Sequence, residues 1–160
     1  MSMGLEIERK FLVHHELLPP LSAGERIIQG YLSKKPMVRF RIINHDLIIT
    51  VKEYFSVGRR FELETPAKKV TEEEIAKIQE LAISPPIIKV RHKIKDESGL
   101  IWELDIYEGP NKGLMTVDIE LPAEDYPIRF PAWVDHEHEI TEDEHYNNLN
   151  LSRKPYSTWT

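Results

Sequence analysis

The segment LEIERKFLV, residues 5–13, alternates charged and apolar side chains. Glu6, Glu8 and Lys10 occupy alternate positions, and the intervening positions are apolar except for Arg9. Because successive side chains of a β-strand point to opposite faces, the pattern predicts a strand with one ionic face. Two interpretations are open at this point. The face is either exposed to water, or its charges converge on a ligand.

The same alternation recurs in six later segments. Ser, Thr, Asn and Gln, which are common on water-facing strands, are almost absent from the charged positions. Positive and negative charges are segregated, since Arg39 and Arg41 share one strand whereas Glu103 and Asp105 share another. Rows of like charge repel one another unless counter-ions lie against them. The eight carboxylates and seven bases are Glu6, Glu8, Lys10, Arg39, Arg41, Lys52, Arg60, Glu62, Glu64, Lys89, Arg91, Glu103, Asp105, Asp118 and Glu120.

Turn residues separate these segments, so the chain is predicted to be a succession of short strands with few helices. Two places have the capping-box pattern that begins helices, Thr71 with Glu74 and Thr141 with Glu144. Strands at hairpin spacing favour an antiparallel barrel or sandwich over a doubly wound parallel sheet. Besides the first, the predicted strands are residues 27–32, 37–43, 47–52, 60–64, 87–95, 100–107, 114–121 and 134–140.

The composition excludes several classes of function. The 160 residues suit one compact domain, residues 1–160. A net charge of −6 without a basic tail argues against a general nucleic-acid-binding protein. The absence of cysteine excludes disulfides, thiolate metal sites and cysteine nucleophiles. No run of about 18 apolar residues and no signal-peptide pattern is present, so no membrane partner is expected and a cytoplasmic location is predicted.

A barrel of about eight such strands would enclose an ionic lumen wide enough for one small ligand. Charges buried there without compensation would be costly, so the lumen requires counter-ions. A triphosphate against the bases and Mg²⁺ or Mn²⁺ against the carboxylates meets both requirements, because Mg²⁺ combines a few carboxylates with phosphate oxygens and water. The arginines favour the same ligand, since the planar guanidinium matches phosphate oxygens.

The motif EIERK, residues 6–10, resembles the ExExK signature of the CYTH superfamily, the triphosphate tunnel metalloenzymes. The family's later motifs follow in order as RFR, TVK, RFELE, KVR, ELD and DIE, so the resemblance extends from residue 5 to about residue 151. It implies a mainly β (α+β) fold, in which an eight-stranded antiparallel β-barrel with a few flanking helices forms the triphosphate tunnel. EIERKFLV and QGYL, residues 29–32, are most similar to the short bacterial tripolyphosphatase branch.

The resemblance also implies roles for individual residues. Lys10 and Tyr31 match a catalytic dyad, although Tyr31 is also a candidate packing residue. Glu103 and Asp105 either bind metal directly or support its ligands, and Arg60 and Asp105 are also candidates for internal ion pairs. The implied substrate-binding residues are Lys10, Arg39, Arg41, Lys52, Arg60, Lys89 and Arg91. The implied metal ligands are Glu6, Glu8, Glu62, Glu64, Asp118 and Glu120.

The function expected from this resemblance is divalent-metal-dependent hydrolysis of tripolyphosphate to pyrophosphate and phosphate. Three alternatives are open: hydrolysis of an organic triphosphate such as ATP or thiamine triphosphate, a class IV adenylate cyclase, and non-catalytic binding of polyphosphate. Since two short helices would leave apolar outer faces uncovered, a homodimer is a further hypothesis. His136 and His138 share one strand face and are interpreted as exposed residues in preference to metal ligands.

Overall fold

The computed structural model describes residues 7–56 and 59–159, without the side chains of residues 54–56, 59 and 60. It contains ten strands and two α-helices within this part of the chain. The strands are β1 (Ile7–Val13), β2 (Glu25–Ser33), β3 (Met37–Ile43), β4 (Asp46–Ser56), β5 (Arg59–Glu64), β6 (Lys68–Lys69), β7 (Ile87–Lys95), β8 (Ile101–Tyr107), β9 (Met115–Leu121) and β10 (Val134–Glu139), and the helices are α1 (Glu72–Glu80) and α2 (Asn148–Arg153).

All ten strands belong to one antiparallel sheet. Its order is β10-β1-β9-β8-β7-β2-β3-β4-β5, and the two-residue strand β6 pairs with β4. The predicted mainly β, antiparallel fold with few helices is confirmed. All nine predicted strands are present, including β10, and the two-residue β6 is an addition to them. The strand order has β10 and β5 at its two ends.

The apolar face of β1, β8 and β9 forms the larger core cluster. Phe11, Trp102 and Val117 in this cluster are completely buried. Residues 122–133 cover the cluster in an irregular conformation, because three prolines within that segment oppose regular structure. Phe130 packs edge-to-face on Phe11, with 5.2 Å between the ring centroids. This segment therefore covers part of the outer face that the sequence prediction left uncovered, and the homodimer stays a prediction.

Helix α1 covers the apolar face of β3 and β4. Thr71 accepts a hydrogen bond from the backbone of Glu74, and the Glu74 carboxylate accepts one from the backbone of Thr71, so the predicted capping box is confirmed. Ile75 then packs on the cluster that contains Phe40 and Ile42. Neither described α-helix is long and apolar enough to cross a membrane.

The second predicted helix start, at Thr141, is wrong. Thr141 donates its hydroxyl to Glu139 and accepts a hydrogen bond from the backbone of Lys10, so its side chain ties two strands together and caps no helix. Helix α2 begins later, after Asn147, whose side chain accepts a hydrogen bond from the backbone of Asn150. From this helix Leu151 packs against Ile87, Tyr107 and Leu114.

Candidate active site

The strand register brings the predicted site residues to one face of the sheet. Directly paired residues of antiparallel strands point to the same side, and Lys10, in β1, pairs with Asp118, in β9, which also pairs with Glu103, in β8. We call this side the ionic face. Its predicted members are Glu8, Lys10, Tyr31, Arg39, Arg41, Lys52, Glu62, Glu64, Lys89, Arg91, Glu103, Asp105, Asp118 and Glu120. Of the remaining predictions, Glu6 lies outside the described residues, and only the backbone of Arg60, in β5, is described.

Charges on strands that are not neighbours act on one another across the ionic face. Burial lowers the pKa of Lys89, in β7, and the charge of Lys10, in β1, lowers it further, although β9 and β8 lie between the two strands. Moreover, six of the eight buried polar residues in the described part of the chain lie on this face: Gln29, Thr50, Lys89, Asp105, Thr116 and Asp118.

A buried ion network occupies the middle of the face. Asp105 Oδ2 lies 2.8 Å from Lys89 Nζ, and both Asp105 oxygens accept hydrogen bonds from Arg91, at 2.8 and 3.0 Å. Burial raises the pKa of Asp105, but the charges and hydrogen bonds of Lys89 and Arg91 outweigh it and hold that pKa well below its usual range. Burial lowers the pKa of Arg91, but Asp105 and Glu103 outweigh it and raise that pKa. Asp105 thus supports two bases of the site.

Excess positive charge lies beside this network. Burial, Arg39 and Arg91 lower the pKa of Arg41 to about 10. Arg41 Nε donates to Gln29 Oε1 at 3.0 Å, and Arg39 Nη2 donates to Thr50 Oγ1 at 3.4 Å. Arg39 Nε is buried and has no hydrogen-bond partner among the described residues. The two guanidinium groups are held close together despite their repulsion, and the Nε of Arg39 can still donate to a partner. Such a site is suited to a polyanion.

Carboxylates dominate the part of the ionic face that β1 and β9 form. Glu8 pairs with Glu120 across β1 and β9, and both are exposed. Asp118 is 8% exposed, and its Oδ1 is 3.8 Å from Lys10 Nζ. This oxygen is buried and accepts no hydrogen bond from any described residue. Burial raises the pKa of Asp118 to about 7; Glu8 and Asp105 also raise it, against Lys10 and Lys89.

This donor set fits a hard divalent cation. Glu8 and Glu120 supply paired carboxylates, and Asp118 supplies a buried oxygen that no described residue donates to. Among residues 7–56 and 59–159 no three acidic or histidine side chains are close enough to form a metal centre by themselves. An ion at this place would take its remaining ligands from water and phosphate oxygens, as Mg²⁺ commonly does.

Other predicted residues are distributed along the face. Lys52 Nζ lies 4.0 Å from Glu62 Oε1, whereas Glu64 is exposed. Tyr31 is 5% exposed and pairs with Arg39, in β3. Lys10 and Tyr31 are therefore on the same face, with β9, β8 and β7 between their strands in the sheet order.

Three further residues of this face are completely buried and had no role predicted from the sequence: Gln29, Thr50 and Thr116. The signal that could have identified them is that each is a polar residue at a position that the alternation of its strand assigns to the ionic face. The predicted exposure of the histidines on β10 is confirmed, since His136 and His138 are both exposed, and His138 Nδ1 lies 2.7 Å from Asp135 Oδ2.

The comparisons with known proteins agree with this arrangement. No protein-family model matches the chain. The inorganic triphosphatase of Acetivibrio thermocellus is 36% identical over 159 residues, which cover 98% of this chain and 99% of that protein. The inorganic triphosphatase of Nitrosomonas europaea is 31% identical over 153 residues, which cover 92% and 96%. A crystal structure of an inorganic triphosphatase has a TM-score of 0.70 and 26% identity, with coverage of 95% and 97%.

Proposed function

The chain belongs to the inorganic triphosphatase branch of the CYTH superfamily, and from this membership we propose that it hydrolyses inorganic triphosphate to pyrophosphate and phosphate with a divalent metal ion. The observation that carries the proposal is that the ionic face contains both a buried hydrogen-bond donor and a buried acceptor that lack partners among the described residues. Within the described part of the chain, Arg39 has a buried donor without an acceptor, and Asp118 has a buried acceptor without a donor. A polyanion with a bound cation supplies an acceptor for Arg39 and a positive charge for Asp118.

The basic residues bind and orient the substrate in this proposal. Arg39, Arg41 and Lys52 hold phosphate oxygens directly, because they lie together on the ionic face. Lys89 and Arg91 are tied to Asp105, so they contribute positive potential at fixed positions. Such preorganised charge stabilises the electron density that moves onto the leaving pyrophosphate in the transition state.

The reaction forms a bond between a water oxygen and a terminal phosphorus and breaks the bond from that phosphorus to the bridging oxygen. The electron pair leaves with pyrophosphate, and the water must lose a proton. We assign the acceptance of this proton to the free amine of Lys10, which forms with Tyr31 the dyad implied by the family resemblance. Lys10 Nζ lies 3.8 Å from Asp118, whose carboxylate can stabilise the ammonium that forms.

A metal ion, which we propose to be Mg²⁺ or Mn²⁺, would neutralise phosphate charge as a Lewis acid when bound. Glu8, Glu120 and Asp118 would hold it, and Glu6 is assigned to the same site by the family motif. Glu62 and Glu64 are the candidate ligands of a second ion, and Glu103 supports Arg91 at 3.3 Å.

One assay tests the function. The purified chain is incubated with Mg²⁺ or Mn²⁺ and with tripolyphosphate, ATP or thiamine triphosphate in parallel, while phosphate and cyclic AMP are measured. We expect phosphate release to be fastest from tripolyphosphate and to stop when a chelator is added. Faster turnover of an organic triphosphate, cyclic AMP formation, or binding without turnover would each replace the proposal by the corresponding alternative.

A further inference from the structure

Gln29 is the buried residue of the ionic face that the proposed function leaves without a role. Its side chain is completely buried in β2, between its paired neighbours Arg41 and Ile87. Arg41 Nε donates to the amide oxygen of Gln29 at 3.0 Å. A guanidinium can only donate, so this contact fixes which end of the amide faces Arg41. The amide nitrogen therefore points away from it.

The amide nitrogen of Gln29 has no hydrogen-bond partner among the described residues. Buried donors are nearly always paired in native proteins, because burial removes the water that would otherwise accept from them. If Gln29 served only to hold Arg41, an acceptor would suffice, and the donating half of the amide would be a pure cost. The unpaired group lies on the face that also carries the unpaired Nε of Arg39.

Two buried donors on one face, for which residues 7–56 and 59–159 provide no acceptor, call for an acceptor from a ligand. Tyr31 pairs with Arg39 and Gln29 pairs with Arg41 along the same two strands, so the donors belong to one region of the face. The surrounding charge selects an anion, since Arg39 and Arg91 both act on Arg41 as like charges. A phosphate oxygen both accepts hydrogen bonds from these donors and carries the negative charge that the arginines attract.

We propose that Gln29 is a substrate-binding residue that donates its amide N–H to a phosphate oxygen of inorganic triphosphate while its amide oxygen holds the guanidinium of Arg41. The inference rests on the proposed function, for which it specifies a neutral donor among the cationic ones. A neutral donor adds a directed hydrogen bond without adding to the repulsion among the arginines.

Two substitutions separate the two halves of the amide. Gln29→Met removes both donor and acceptor at nearly constant volume. Gln29→Glu keeps an acceptor for Arg41 but replaces the donor by a carboxylate oxygen. We expect both variants to raise KM for tripolyphosphate about tenfold to a hundredfold, the usual effect of losing a hydrogen bond to a charged group, with the larger rise for Glu. A Glu variant that keeps the KM of the wild type would overturn the proposal, and the double-mutant cycle below separates a direct contact with phosphate from positioning of Arg41.

A matched control is Gln79→Met on α1, away from the ionic face, which should leave KM and kcat unchanged. Urea unfolding checks that each variant is folded. Should the Met variant prove unfolded, the Glu variant carries the test, because it retains the size and the Arg41 contact of the native residue.

A double-mutant cycle with Arg41→Lys provides an independent measurement. A direct contact of Gln29 with phosphate predicts that Gln29→Met still weakens binding at least several-fold in the Arg41→Lys background. A residue that acts only through Arg41 would have no further effect there, and that result would also overturn the proposal.

Calorimetric binding of tripolyphosphate without metal distinguishes failure of this inference from failure of the proposed function. A wild-type chain that releases no phosphate, but binds tripolyphosphate at least tenfold more tightly than both Gln29 variants, would refute the hydrolysis and support the contact. If the wild type is active and the Gln29 variants have the same affinity and turnover for tripolyphosphate, only the proposed contact of Gln29 is refuted.

Discussion

The ammonium of Lys89 and the carboxylate of Asp105 form a 2.8 Å ion pair in which only 2% and 3% of the two side chains are exposed. A cation buried to this degree is tolerated only with a partner, and Asp105 serves Lys89 and Arg91 at once. The same carboxylate thus stabilises the fold and fixes two charges of the site.

Removing Asp105 should strongly destabilise the protein. Asp105→Ala leaves Lys89 and Arg91 buried without their shared partner, and breaking a buried pair in this way costs about 3–5 kcal/mol. Urea unfolding at pH 7 measures the free energy directly. Asp143→Ala is the matched control, because Asp143 is an exposed aspartate that contacts His145, and its loss should cost no more than about 1 kcal/mol. Equal effects of the two substitutions would contradict this account of Asp105.

The stabilisation from Asp105 should depend on pH in a defined direction. The pKa of Asp105 is lower in the folded protein than its unfolded value of about 3.9. Its contribution is therefore fully present above pH 4 and declines as the pH falls from there toward the folded pKa. Unfolding free energies of the wild type and of Asp105→Asn, measured from pH 6 to pH 2, should show a constant difference above pH 4 and a shrinking one below. A difference that grows on acidification would show that the sign is wrong.

Two arginines on opposite faces should respond differently to truncation. Arg39→Ala removes a guanidinium of the ionic face, and we expect kcat/KM for tripolyphosphate to fall by about 10²–10³. Little stability should be lost, since the hydrogen bond of Arg39 to Thr50 is long, at 3.4 Å. Arg9→Ala breaks the ion pair with Glu139 on the other face. It should cost about 1 kcal/mol of stability and leave turnover intact.

Lys10→Ala should abolish turnover and leave the protein folded. The ammonium of Lys10 is 3.8 Å from Asp118 and is partly exposed, so the fold does not depend on it. Lys77→Ala, at an exposed position of α1, is the control for loss of a lysine. Phosphate release and circular dichroism are measured for both variants. A fully active Lys10→Ala protein would contradict the assigned catalytic role.

Gly30 should not tolerate a side chain. A Cβ at this position would lie 2.5 Å from Cζ of the completely buried Phe40. Gly30→Ala should therefore cost about 1–3 kcal/mol through overpacking, measured by urea unfolding. Combining it with Phe40→Leu should recover part of that loss, because the shorter side chain makes room. If the double variant is as unstable as the sum of the two single ones, the clash is not the cause.

Side-chain alternation was sufficient to predict the strands and the face on which Arg41 and Lys89 lie. It failed where tertiary contacts compete with local signals. Thr141 has the sequence of a helix cap, but its hydroxyl is engaged by Glu139 and by the backbone of Lys10. No local pattern shows that the irregular segment 122–133 covers the core.

The site was predicted less completely than the fold, because alternation assigns a face and does not report burial. Glu8 and Glu120 share the face with Asp118, yet both are exposed whereas Asp118 is buried. Gln29 was overlooked because a single neutral residue does not stand out in a mostly apolar strand. Its meaning depends on the partner that its amide lacks, and this is a property of the folded chain.

Insertions and deletions should be harmful within strands and tolerated in loops. In each strand the ionic and apolar side chains are separated only by their alternation along the sequence. One residue added before Lys10 or Tyr31 would exchange the two sides of that strand. The register shifts described in β1 and β2 lie beyond these residues, after Phe11 and Tyr31. Length variation among related chains is therefore expected between the strands and at their far ends.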